Sequence, residues 1–133
     1  MSQNDTECGL DVALAVMGGK WKPLILYHLR SGPKRFGELR RLVSGVSEKV
    51  LIQQLREFVE AGVLVRRDYR EVPPKVDYAV TPFGQTLAEA LLPLCAWGNE
   101  NRAQVEIRKR DSQERTSERP GSSGSFLATK NQT

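Results

Sequence analysis

Apolar residues recur along the first half of the chain at helical spacing. In CGLDVALAVMGG they occupy positions 10, 13, 14, 16 and 17, close to one stripe, and Gly18 and Gly19 predict its stop. WKPLILYHLRSG then reads as a buried helix, with Pro23 in its first turn and Gly32 at its end. Gly32-Pro33-Lys34-Arg35 reads as a turn. Phe36, Leu39, Leu42 and Val43 mark a third helix, broken by Ser44-Gly45-Val46. Ser47 is a suitable N-cap for a fourth helix, which runs to about Ala61 and is closed by Gly62. Two helices around a short Gly-containing turn form a helix-turn-helix pattern.

The period then changes from helix to strand. VLVRRDYREV is strand-prone, with Val65 and Tyr69 among its apolar positions. In VDYAVT, Val76, Tyr78 and Val80 alternate with Asp77, Ala79 and Thr81, which predicts a half-buried strand with the apolar set inward. Pro73 and Pro74 lie between the two runs and cannot donate to a sheet ladder, so they mark the tip of a hairpin. Thr81 and Pro82 can start a last helix, whose broad stripe includes Phe83, Leu87, Ala90, Leu91, Leu94 and Trp97. Pro93 should kink it. The expected fold is mainly α with a small β-hairpin: a winged helix-turn-helix with an added C-terminal dimerisation helix. A stripe this broad exceeds what one intramolecular contact needs, so Leu87, Leu91, Leu94 and Trp97 are the candidate dimer interface.

The fourth helix can be read by face. Leu51, Leu55 and Phe58 fall at i, i+4 and i+7 and form its buried side. The opposite side carries Lys49, Gln53, Arg56 and Glu60, flanked by Ile52 and Glu57. Lys, Gln and Arg are the side chains that reach base edges or phosphates in a major groove. A merely solvated face has the same composition, so this helix alone does not decide.

Charge adds weight to the nucleic-acid reading. The net charge of +4 is modest, but residues 20–75 hold 13 Lys/Arg against 6 Asp/Glu. A basic middle suits an acidic partner such as DNA. From Asp111 onward the chain is rich in Ser, Gly, Thr and balanced charges, a composition that cannot bury enough apolar surface to order itself. The expected organisation is a flexible N-terminus over 1–7, one folded domain over 8–110, and a disordered tail over 111–133. The polar start MSQNDTECGL and the absence of an 18-residue apolar run predict a cytosolic protein with no membrane partner. Cys8 and Cys95 are too few for a disulfide framework.

Several linked motifs, in order, resemble one family. They are Gly18-Gly19-Lys20-Trp21 leading into Ile25-Leu26, and Gly32-Pro33-Lys34-Arg35-Phe36-Gly37-Glu38-Leu39. Ser47 and Leu51 follow, then Gly62 with Arg66, then Val72-Pro73-Pro74-Lys75-Val76-Asp77-Tyr78 with Thr81 and Gly84. Over residues 8 to about 98 the chain resembles an HxlR-type regulator, within the winged-helix transcription factors that include MarR-like proteins. The resemblance implies a bacterial homodimer binding a palindromic operator in double-stranded DNA, as repressor or activator. It implies that the helix starting at Ser47 enters the major groove, with Lys49, Gln53 and Arg56 near base edges or phosphates. Lys34, Arg35 and Arg40 are candidate phosphate contacts. The wing, with Arg70, Pro73, Pro74 and Lys75, would reach the flanking backbone or minor groove. Many members carry a cysteine just before the first helix, and some use it to sense oxidants or electrophiles; Cys8 matches that position. The chain departs from the family at Ile52, where many relatives carry Thr or another polar residue, so the operator sequence does not transfer.

Two other function classes are weaker. For an enzyme the linear sequence displays no catalytic spacing: His28 is the single histidine, no zinc spacing is present, GGKW lacks the remainder of a phosphate loop, and only spatial pairing could give a Ser or Cys its base. No metal or cofactor is expected, and no residue set names a small-molecule effector. A winged-helix module that binds protein instead of DNA is the alternative, because fold does not fix function.

Overall fold

The computed structural model describes residues 8–117. The expected N-terminal segment 1–7 and most of the expected tail, 118–133, lie outside the described residues. Two units divide the chain between Leu92 and Pro93.

The first unit begins with α1 (Gly9–Met17), capped by Cys8 and ended at Gly18. It continues with α2 (Trp21–Leu29), a short strand β1 (Lys34–Arg35) and α3 (Phe36–Leu42). Helix α4 (Glu48–Glu60) leads to β2 (Leu64–Asp68) and β3 (Val76–Val80). The last helix, α5 (Pro82–Ser117), starts in this unit.

Helix boundaries follow the punctuation of the sequence. Ser47 Oγ accepts from Val50 N at 3.1 Å and caps α4. At the other end Gly62, at φ 79°, takes the left-handed conformation that a side chain resists. Gly62 N donates to Val59 O and Val63 N to Phe58 O, a Schellman closure that satisfies two end carbonyls. Thr81 Oγ1 accepts from Gly84 N at 2.9 Å and caps α5, with Pro82 at its first position.

One core gathers α2, α3, α4, the start of β2 and the first turns of α5. Ile25, Leu26, Leu29, Leu39, Val43, Leu51, Leu55, Phe58, Val63 and Leu64 are almost wholly buried, joined by Val46, Ala88 and Leu91. Val16 and Met17 bring the end of α1 against this core, while Leu10, Val12 and Leu14 stay exposed.

Two sequence expectations change at the sheet. Lys34 and Arg35, expected in a turn, pair antiparallel with β3, so the hairpin is part of a three-stranded sheet ordered β1-β3-β2. Two residues are too few to show an alternation, and their partners lie far along the chain. Second, the strongly buried residue of β3 is Asp77, and Val76, Tyr78 and Val80 are only half-buried. Tyr78 and Val80 do pack on the core as their alternation predicts. Asp77 is covered on the other face by side chains of the wing. In β2 the buried apolar residue is Leu64, and Val65 is exposed.

The second unit contains the rest of α5. The helix continues past Pro93 to Ser117, so residues 111–117, expected in the tail, are helical. Cys95 is half-buried, and its Sγ accepts a 3.9 Å contact from the Asn99 amide.

Candidate nucleic-acid interface

The exposed face of α4 arises from its own periodicity. Leu51, Leu55 and Phe58 are locked into the core, which turns Lys49, Ile52, Gln53, Arg56 and Glu60 to solvent. Lys49, Ile52, Gln53, Arg56, Glu57 and Glu60 line a shallow hollow of about 380 Å³ along the helix. Ile52 and Arg56 also border a second hollow of about 340 Å³, with Val59, Arg66 and Tyr78. Arg66 of β2 therefore joins the candidate surface from outside the helix. Its cross-strand register with Tyr78, which a sequence alone does not reveal, brings it there.

Lys49, Arg56 and Arg66 have no salt bridge among the described residues. Their positive charge is therefore uncommitted. Gln53 is different: its Nε2 donates to Glu57 Oε2 at 3.2 Å. Glu57 in turn accepts from Lys22 Nζ at 2.6 Å. Hydrogen bonds from Lys22 and Gln53, and the Lys22 charge, hold the Glu57 carboxyl below the ordinary carboxylate range.

The candidate phosphate contacts divide. Lys34 and Arg35 lie on β1 and are half-buried and exposed respectively; Arg35 N donates to Glu38 Oε1 at 2.7 Å. Arg40 on α3 is exposed but pairs with Glu48 of α4 at 3.5 Å, which ties the two helices of the helix-turn-helix by a weak surface contact.

The wing is built around a buried charge that the sequence reading did not single out as a site. Asp77 is 7% exposed. Arg67 Nε and Nη2 donate to its two oxygens at 2.9 and 3.2 Å, a bidentate fork, and Tyr69 Oη donates to Oδ2 at 3.0 Å. The Arg67 hydrogen bonds are the main reason that the Asp77 carboxyl sits below its ordinary range. Tyr69 is pushed up, by burial first and then by its bond to Asp77. The Tyr69 ring carries Lys75 Nζ 4.5 Å from its centroid, a cation–π contact.

Above this base the tip is open. Arg70 takes φ 55°, and its N–H donates to Asp68 Oδ1 at 2.9 Å, while Tyr69 N donates to Lys75 O. The Val72–Pro73 peptide is cis, and Val72, Pro73 and Pro74 are exposed, Val72 at 98%. Arg70 and Lys75 border neither α4 hollow.

The other candidates are placed as follows. Cys8 is exposed at the start of α1, and its Sγ accepts from Leu10 N at 3.4 Å. Of the dimer candidates, Leu91 is buried in the chain's own core and Leu87 packs against it. The first turns of α5 meet the domain, so those two side chains are taken. Leu94 and Trp97 remain 65% and 55% exposed. Among the described residues no group of three or more His, Cys, Asp or Glu is arranged to hold a metal, and no helix is long and apolar enough to cross a membrane.

Known proteins share the sequence pattern and the fold of this chain. Residues 16–106 match the model of the HxlR-like helix-turn-helix family. The HTH-type transcriptional regulator YkvN of Bacillus subtilis (strain 168) is 48% identical over 91 residues, covering 68% of this chain and 77% of YkvN. The structure of the redox regulator HypR in its reduced form superposes with a TM-score of 0.70 at 41% identity, covering 75% of this chain and 99% of HypR. The reduced transcriptional regulator YodB of B. subtilis superposes with a TM-score of 0.62 at 30% identity, covering 71% and 94%. The family is one of transcriptional regulators, not of enzymes, and its MarR-type structural neighbours share the winged helix. With the matched segment running from the end of α1 into α5, the chain belongs to the HxlR-like helix-turn-helix family of DNA-binding transcriptional regulators.

Proposed function

We propose that this protein binds a palindromic operator as a homodimer and regulates transcription from it. The observation that carries the reading is the exposed face of α4, where Lys49, Gln53 and Arg56 stand opposite a fully buried Leu51, Leu55 and Phe58. That helix would lie in the major groove, with Arg66 beside it and the wing residues Arg70, Pro73, Pro74 and Lys75 over the flanking backbone or minor groove. Lys34 and Arg35 would add phosphate contacts; Arg40 would do so only by leaving Glu48. The exposed Leu94 and Trp97 of α5 favour a second copy of the chain as partner. Two copies would place their recognition helices on half-sites roughly 10 bp apart or a multiple of it.

The test is selection of bound fragments from genomic DNA by the purified full chain at moderate salt. Recovery of a two-fold-related sequence is the expected result. Failure to enrich any sequence would favour a protein-interaction role for the wing and α5.

Cys8 supports an oxidant or electrophile response in the same protein. Its thiol is exposed at a helix N-terminus, and HypR is described as a redox regulator in both reduced and oxidised forms. Operator binding by wild type should change on treatment with diamide, and a Cys8→Ser variant should not respond. Equal behaviour of the two proteins would end the sensor reading.

A further inference from the structure

The exposed face of α4 includes an acidic group that a surface facing phosphates would ordinarily exclude. Glu57 lies one turn after Gln53, and its two oxygens are divided between two partners. Oε1 accepts from the Lys22 ammonium at 2.6 Å, and Oε2 accepts from the Gln53 amide nitrogen at 3.2 Å. Lys22 comes from the first turn of α2, outside the helix-turn-helix. Its side chain is only 13% exposed, and its ammonium stands 5.7 Å from the centre of the Phe58 ring. A stem enclosed in this way gives the ammonium little freedom to leave. Core packing therefore places the cation, the cation places the carboxylate, and the carboxylate places an amide on the groove-facing side.

The chemistry of the three groups sets the direction of that amide. An ionised carboxylate only accepts hydrogen bonds, so the NH₂ end of Gln53 must face Glu57. One of its two N–H groups is then committed. The amide oxygen is turned away from Glu57, and one N–H remains free.

We infer that Lys22 and Glu57 are positioning residues for base readout, which preset Gln53 to offer one acceptor and one donor in a fixed order. The inference rests on the DNA-binding reading above and deepens it. An acceptor beside a donor matches adenine, which presents N6–H₂ and N7 in the major groove. Guanine presents O6 and N7, both acceptors, and would set O6 against the Gln53 carbonyl. The relay thus selects adenine over guanine at the base Gln53 faces. Without it the amide can turn, and the selection weakens. The Lys22 charge also offsets the negative charge that Glu57 would otherwise bring near phosphate.

The test begins with an operator selected from a random DNA pool by the full-length protein. Binding is then measured to every single-base variant of that operator for wild type, Gln53→Ala, Glu57→Gln and Lys22→Gln. Gln53→Ala identifies the position that Gln53 reads. The expected result is that Glu57→Gln and Lys22→Gln lose about tenfold of the adenine-over-guanine preference at that same position. Preferences at other positions should stay at wild-type levels, while overall affinity should move for every sequence alike with the charge removed, up in Glu57→Gln and down in Lys22→Gln. A merely structural tether between α2 and α4 would change overall affinity and leave the adenine-over-guanine preference untouched in both variants, and that outcome overturns the relay. So does full retention of the preference in Glu57→Gln, while DNA binding itself stands. Lys22→Gln approaches the same carboxylate from the other side and carries the test if Glu57→Gln does not fold. Should wild type select no sequence, the DNA-binding reading and the relay fall together.

Discussion

Asp77 holds a negative charge on the central strand of the sheet, and three donors from the wing surround it. A carboxyl held below its ordinary range stabilises the fold fully above its unfolded pKa, roughly 4, and loses that contribution as pH falls through the lower folded value. Acid unfolding of wild type should therefore steepen below about pH 4, and Asp77→Asn should flatten that part of the curve. At neutral pH the same substitution weakens the charge-assisted fork and should cost about 1.5–3 kcal/mol in urea unfolding. A second single-residue prediction concerns Gly84. A Cβ there would stand 2.1 Å from Val63 O, so Gly84→Ala must displace backbone and should cost about 1–3 kcal/mol or more. Neither position could be weighed from the sequence. The alternation in VDYAVT marks Asp77 as outward, correctly, but says nothing of the Arg67 and Tyr69 side chains that cover the outward face. Gly84 belongs to a recognisable motif, yet the carbonyl that forbids a side chain there is contributed from 21 positions earlier.

Helices were legible because each carries its stripe and its stop within its own residues. α4 is the best case: its N-cap, its buried triplet and its glycine closure all stand where the pattern puts them. Ser47→Ala should lower stability by about 1 kcal/mol in thermal or chemical unfolding, through loss of the Val50 N–H partner. Strand β1 was not legible, because a two-residue strand is defined by its partner and not by its pattern. The wing sits between these cases. Its prolines announce a tip, but the brace beneath it depends on pairing Arg67 with Asp77 across two strands. As an element, the wing should contribute affinity without reading sequence. Lys75→Ala should weaken binding to all operators similarly and reduce the slope of log affinity against log salt by about one. A loss confined to one base position would instead make Lys75 a reader of sequence.

For the whole molecule, the question is which apolar surface a second copy would cover. The broad stripe of α5 could be seen in the sequence, but its division could not: Leu87 and Leu91 serve the chain's own core, and Leu94 and Trp97 do not. Leu94→Asp should therefore leave the melting of the winged domain near wild type and shift the protein toward monomer in sedimentation equilibrium. Operator affinity should drop with it, since one half-site alone loses the advantage of linked binding. A fully dimeric Leu94→Asp would place the interface elsewhere. Leu10, Val12 and Leu14 of α1 are the next exposed apolar set to substitute.

The cap of α5 does more than end a strand. Thr81 Oγ1 donates to Gly62 O at 2.6 Å, Thr81 N donates to Val63 O at 3.0 Å, and Gly84 closes against that same carbonyl with no room for a methyl group. Mechanically this fastens the Gly62–Val63 turn that closes α4 to the first turn of α5. A small rotation imposed on the first turn of α5 by an effector or a partner would not be dissipated there. It would arrive at α4 as a change in pitch, and in a dimer as a change in the span between two reading heads. Loosening this joint with Thr81→Val should therefore leave each head able to grip DNA while blurring how strictly the spacing of half-sites is measured.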